Sequence, residues 1–426
     1  MRSTLFYIPH EIYGIPLLGF GWLLLALTVG CVVWMVWQYR HGQFLKEITA
    51  GLPVWFVAAG LVVFVLPQIE SRWPDGQPMG LPVRGYGVMV LMGLFSGIGI
   101  TIWRGKRIGV SPDLIVSLGF WMMIGGVLGA RLFFVAQYWQ DFAALPLGER
   151  LIAIVKLTEG GLVIYGGMVG GAIAGALFCR RYRQPTFAFA DLIAPGFLIG
   201  LSLGRLGCLL NGCCFGGVCE SKLPTIQFPQ GSPPYIAQLE TGKLFGLTVQ
   251  PQNGRPTVVE VEHDSLAQRR LEAAAGMTYD QQHRSMPPVP KVDDPARTPA
   301  MAATVSLDDR TSFFSPDDLP QWSRPVHPSQ VYSAIDALLL CILILSVQPW
   351  VRRDGQAFLL AVLMHAVARF TLELIRSDEV GQFGTVLTIA QWLSVAGGGL
   401  ALAALLYSFT LPAYRALPEL PITAGR

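Results

Sequence analysis

Charge is scarce in this chain. Charged residues make up 14% of its 426 residues, against 52% hydrophobic, whereas an ordinary soluble domain carries about 25%. The shortage excludes a soluble globular protein and points to a polytopic protein of a lipid bilayer. No cleavable leader is expected either, because the first apolar run is too long and is preceded by Glu11 instead of a basic region. That run is expected to stay attached. The first two apolar runs carry no intramembrane charge, and their tryptophans fit packing or an interfacial belt, so they read as an added scaffold. No broken-helix repeat with a midplane ion site is apparent, which weighs against a transporter.

What the chain has in quantity is apolar sequence. Runs long enough to span as helices lie at 15–37, 48–66, 86–103, 114–139, 162–178, 192–210, 331–350, 358–375 and 386–407, about nine in all. The expected fold is therefore all-α, a polytopic membrane helical bundle. Ten Lys or Arg fall in the loops at 38–47, 104–113, 179–190 and 351–357, and five in the intervening short loops. The positive-inside rule then puts the first set in the cytoplasm, with the amino terminus outside and the carboxyl terminus inside.

Between Phe215 and Val326 a hydrophilic stretch interrupts the bundle on its outer face. It is too long for a simple loop, so it is expected to be a small domain or partly disordered. Thr257 to Glu262 alternates like a strand, Asp264 to Ala275 reads as a capped helix ended by Gly276, and the proline-rich residues 285–299 read as disordered. The expected organisation is a two-helix segment at 1–80, a membrane core at 81–214 and 327–410, an external insert at 215–326, and a cytoplasmic tail at 411–426.

Polar groups enter the apolar runs from Tyr86 onward: Tyr86, Arg131, Tyr165 and Arg205, then His365, Arg369, Glu373 and Arg376 on adjoining parts of one helix face. An arginine at membrane depth is costly and normally faces an internal polar cavity. With a helical rise of about 1.5 Å per residue, Tyr86, Arg131, Tyr165, Arg205, Arg369 and Glu373 all fall in the outer half of the membrane, with Asn211 and His327 at its rim. Two or three arginines at one level form a phosphate clamp, since guanidinium groups bind phosphate bidentately and keep their charge when buried. The expected ligand is a phospholipid. The competing readings are that each arginine only snorkels to the interface, and that Arg369 and Glu373 are a structural ion pair.

These residues resemble the prolipoprotein diacylglyceryl transferases of bacterial inner membranes. The resemblance runs from Tyr86 to the last helix and is carried, in order, by RGYGVM (84–89), GGVLGAR (125–131), IYGGMVGG (164–171), DLIAP (191–195), GRLGCLLNG (204–212), HPSQVY (327–332) and ARFTLELIRSDE (368–379). It implies transfer of a diacylglyceryl group from phosphatidylglycerol to the lipobox cysteine of a prelipoprotein signal peptide, with glycerol phosphate released. By the resemblance, Arg205, Arg369, Tyr165 and Glu373 are catalytic: the arginines lie near the phosphate and Glu373 orients Arg369. Tyr86, Arg131, Asn211, Gly166, Gly167 and His327 contact substrate. Neither cofactor nor metal is implied, and the partners are lipid and signal peptide, with no nucleic acid. The chain departs from the family pattern at Tyr165, where the family has a histidine, at Cys208, where it has an asparagine, and at Cys213, where it has a glutamate.

Cys208, Cys213, Cys214 and Cys219 form C-x4-C-C-x4-C, which is no standard zinc spacing. On an oxidising face they are expected to form one or two disulfides, with metal binding or a redox pair as alternatives. The remaining cysteines, Cys31, Cys179 and Cys341, read as packing residues. The second function kept open is accordingly a membrane thiol-disulfide or metal-handling protein on a transferase-like scaffold.

Overall fold

The computed structural model describes residues 4–40, 55–56, 58–72, 77–156, 160–219, 224–252, 255–271, 274–285, 301–308, 310–376 and 384–417. The chain divides into two compact units. One holds Met1–Val88, Leu210–Cys213 and Val218–Val326, the other Met89–Leu209, Cys214–Gly217 and His327–Arg426.

Helices dominate, and seven are long and apolar enough to cross a membrane. They are α1 (Trp22–Arg40), α3 (Gly85–Arg107), α4 (Pro112–Gln137), α8 (Thr186–Asn211), α11 (Ser329–Val347, prolonged by a 3-10 turn to Trp350), α12 (Gln356–Glu373) and α13 (Ile389–Thr410). The expected run at 162–178 is also a helix, α7 (Ile164–Arg181), but its five glycines and terminal arginines leave it less apolar than the seven. The run at 48–66 lies partly outside the described residues, and its described end forms α2 (Ala58–Ile69). Short helices α5 (Trp139–Ala143) and α6 (Leu147–Val155) connect α4 to α7.

The expectation of an all-α protein needs correction, since ten short strands form four small sheets. Most lie outside the long apolar runs. In the first unit, β1 (Thr4–Ile8) and β4 (Ser71–Arg72) flank β5 (Pro78–Arg84), while β2 (Glu11–Ile12) and β3 (Ile15–Pro16) make a hairpin. The hairpin turns on Tyr13 (φ 55°) and Gly14 (φ 75°), the left-handed pair that suits strand twist.

The same unit contains the polar stretch, with α9 (Pro233–Glu240), the hairpin β6 (Leu247–Gln252) and β7 (Arg255–Val261), α10 (Leu266–Leu271), and a sheet in the order β10 (Arg310–Phe314), β9 (Met301–Leu307), β8 (Tyr279–Ser285). In β9, Ala303, Val305 and Leu307 are buried and alternate with Thr304 and Ser306, a period of two. They join Tyr235, Leu239, Phe245, Val258 and Phe314 in one hydrophobic core. The expected strand at 257–262 is β7 and the expected helix at 264–275 is α10. Most of the stretch at 285–299 lies outside the described residues. Both ends of the insert meet: Val218 and Ile226 each bridge to Val326, and Cys219 N–H donates to Pro325 O at 2.9 Å.

The second unit is a helical bundle whose backbones approach closely at glycine. A Cβ on Gly129 of α4 would lie 2.4 Å from Gly166 O of α7, and one on Gly166 would lie 2.4 Å from Gly129 O. Gly97 of α3 and Gly196 of α8 touch in the same way. Small residues allow such contacts where lipid supplies no hydrophobic drive between helices. Pro195 inside α8 has no N–H for the carbonyl of Asp191, and Gln348 Nε2 donates to that oxygen at 3.4 Å. The side chain of Asp191 accepts from the N–H groups of Gly355 and Phe358, both at 2.7 Å. That carboxylate satisfies orphan donors at the first turn of α12 and fixes where the helix begins. Arg104, 1% exposed, donates to Leu192 O at 2.6 Å and to the Gln348 amide, which ties α3 to α8 and α11.

Candidate active site

Helix α12 carries the densest group of polar residues in the second unit. Positions 365, 369 and 373 repeat every four residues and so share one helix face. Glu373 is 3% exposed, and a buried carboxylate must be compensated. Its Oε2 accepts from Arg369 Nη1 and pairs with Arg376 Nη1 at 3.6 Å, while its Oε1 accepts from Thr388 Oγ1 at 3.2 Å. The two guanidinium groups are held at one carboxylate, with side-chain exposures of 17% for Arg369 and 9% for Arg376.

Arg205, two turns from the end of α8, is a third cation. His365 lies one turn before Arg369 on the same face of α12, and both Arg205 and Arg369 bear on it electrostatically. The Nδ1 of His365 is buried without a hydrogen-bond partner, and so is the Nδ1 of His327.

The chain leaving α8 holds these helices together. Cys214 takes a left-handed backbone (φ 59°), and its carbonyl accepts from Ser329 Oγ at 2.7 Å. Gly216 N–H donates to His327 O at 3.0 Å, His327 N–H to Gly217 O at 3.1 Å, and Gly217 N–H to Ile375 O at 3.0 Å. A Cβ on Gly216 would lie 2.6 Å from that of His327. Residues 214–217 thus join the start of α11 to the turn that carries Arg376.

Other expected site residues have different occupations. Arg131 gives its donors to backbone carbonyls: Nε to Ile154 at 2.8 Å, Nη2 to Ala153 at 2.6 Å, and Nη1 to Gly160 and Gly161 at 2.9 and 3.0 Å. In this arrangement it braces the segment between α6 and α7. Gly166 packs against Gly129, and Gly167 lies near Gly126 on the same α4 face. Tyr165 sits in the first turn of α7 and is partly buried. Tyr86, 44% exposed in the first turn of α3, and Asn211, exposed at the end of α8, belong to the first unit.

The expected disulfides are not formed: none joins any of the seven cysteines. The Sγ atoms of Cys208 and Cys214 lie within 4.8 Å of each other, close enough for one metal ion to meet both. Cys179 and Cys341 are buried packing residues, as expected, each 2% exposed. Thr388 was not singled out from the sequence. Its signal is the T-x-x-Q spacing to Gln391, a capping box that opens α13.

The model of the prolipoprotein diacylglyceryl transferase family matches residues 77–407. A phosphatidylglycerol–prolipoprotein diacylglyceryl transferase of Rhodopirellula baltica is 37% identical over 432 residues, covering 93% of this chain and 87% of the relative. That alignment reaches beyond the family match. Proteins of the same description from Trichormus variabilis and Deinococcus radiodurans are 35% identical over 187 residues and 38% identical over 130 residues. These two alignments cover 43% and 30% of this chain, and 60% and 38% of the relatives. The chain belongs to the prolipoprotein diacylglyceryl transferase family.

Proposed function

We infer that the protein transfers a diacylglyceryl group from phosphatidylglycerol to the lipobox cysteine thiol of a prelipoprotein. The observation that carries this reading is the buried Glu373 that holds Arg369 in place, on a helix face it shares with His365. A phosphodiester gives the guanidinium groups of Arg205 and Arg369 a ligand of matching charge and shape. In the reaction they stabilise the leaving glycerol phosphate, where negative charge develops. Glu373 orients Arg369, and Tyr165 donates or relays a proton. Tyr86 and Asn211 hydrogen-bond the headgroup or the peptide, His327 contacts substrate, and Arg131 adds positive potential at the same level. Gly166 and Gly167 let α7 approach α4 closely.

The protein is a multi-pass membrane protein. In this reading it crosses the bacterial inner membrane about nine times, with its amino terminus external and its carboxyl terminus cytoplasmic. Residues 1–80 add two helices to the transferase core at 81–214 and 327–410, and residues 215–326 form an external insert. The cysteines near 208–219 have no step in this chemistry and act in structure.

The experiment is lipidation of a reporter prelipoprotein by the purified protein in vesicles containing phosphatidylglycerol, read as the mass of the product. A mass increase of one diacylglyceryl group is the expected result. An unmodified reporter, with the protein folded and phosphatidylglycerol present, would overturn the reading.

A further inference from the structure

Transfer to a thiol needs somewhere for the thiol's proton to go, because the thiolate is the nucleophile. The groups gathered at the arginine cluster differ sharply in their ability to take it. A guanidinium has donors and no lone pair. Both oxygens of Glu373 already accept, one from Arg369 and the other from Thr388, and Arg376 pairs with the carboxylate as well. A phenol such as that of Tyr165 holds its own proton in the resting form. His365 is different, because its Nδ1 is buried and nothing described in the structure donates to it.

An imidazole protonated on Nε2 keeps a lone pair on Nδ1. Leaving such a buried nitrogen unpaired is costly, and a ligand with a proton to donate would recover that cost. His365 lies one turn before Arg369 on the same face of α12, which puts it on the side of the helix that carries an arginine assigned to the phosphate.

We propose that His365 is the proton acceptor for the prelipoprotein thiol, receiving the proton on Nδ1. This rests on the transferase reading above. The S–H bond breaks and its proton moves to Nδ1. An S–C bond forms at the glyceryl carbon that carries the phosphate, and the C–O bond to that phosphate breaks, its electron pair leaving on the glycerol phosphate. The anion is held by Arg205 and Arg369 and offsets the charge of the new imidazolium. Return of the proton to the departing phosphate restores the imidazole.

The test compares a lipobox peptide with its selenocysteine counterpart, using the purified full-length protein in phosphatidylglycerol vesicles. A selenol is ionised at neutral pH and needs no base. Failure of the unsubstituted protein on the cysteine peptide would count against the transferase reading and not against this assignment alone. With an active parent protein, His365→Gln is expected to lose about 100-fold or more on the cysteine peptide, in the range of general base catalysis. On the selenocysteine peptide it should lose only a few-fold, with vesicle binding unchanged. Equal losses on the two peptides, or parental rates on both, would overturn the assignment. Should the Gln variant not fold, His365→Ala decides: added imidazole restores rate on the cysteine peptide in proportion to its concentration, and no restoration rejects the role.

Discussion

The hydroxyl of Thr388 donates to Oε1 of Glu373 at 3.2 Å and also accepts from the N–H of Gln391, capping α13. One side chain therefore couples the first turn of a helix to the carboxylate that holds Arg369. Thr388→Val removes both bonds and should destabilise the fold by about 1 kcal/mol through the cap, with a clear fall in lipidation rate. Thr388→Ser keeps the hydroxyl and should remain close to the parent in both. Thermal unfolding in detergent and reporter lipidation measure the two effects, and equal activity of the Val and Ser variants would separate Thr388 from the site.

Arg205→Ala and Arg369→Ala should each abolish lipidation while the protein still inserts. Lysine at either position keeps the charge and loses the planar fork, so rescue should be poor. Full activity of either alanine variant in vesicles would remove the phosphate clamp.

The glycine contact between α4 and α7 predicts a different phenotype. At Gly166 a Cβ would meet both the carbonyl oxygen of Gly129 and the Cβ of Phe133 at 2.4 Å, so the helices must part to admit it. Overpacking of this kind costs about 1–3 kcal/mol. Gly166→Ala should lower the unfolding temperature, whereas Gly148→Ala, with nothing within 4 Å of its Cβ, should not. An unchanged unfolding temperature for Gly166→Ala would contradict the close approach.

Orientation can be read with an impermeant thiol reagent. Applied from outside, it should label Ser285→Cys and spare Arg181→Cys. The reverse pattern would move the arginine cluster to the inner leaflet.

Replacing Cys208, Cys213, Cys214 and Cys219 together by serine should leave residual lipidation in the vesicle assay, since no disulfide is lost. Complete loss in a folded variant would give these thiols a working role.

Much of the bundle was legible because membrane helices declare themselves through uninterrupted apolar sequence, and the His365, Arg369 and Glu373 spacing placed those side chains on one face. Thr388 was not, because it reaches Glu373 from the far side of an interhelical connection. Nor was the engagement of Arg131, whose acceptors are backbone carbonyls and leave no trace in residue type. The thiol spacing at 208–219 suggested cross-links, but pairing depends on distance, which spacing alone does not supply. In the insert, β8 and β9 flank a proline-rich stretch, and β9 alternates small residues, Ala and Val with Thr and Ser, too weakly for a confident strand.

The bridge between Val218 and Val326 brings together two residues separated by more than a hundred positions, and Gly217 bonds His327 immediately beneath it. To the helices on either side, that long excursion looks like a tight hairpin. Since its described hydrophobic core is its own, the stretch makes up a cassette whose entry and exit lie side by side.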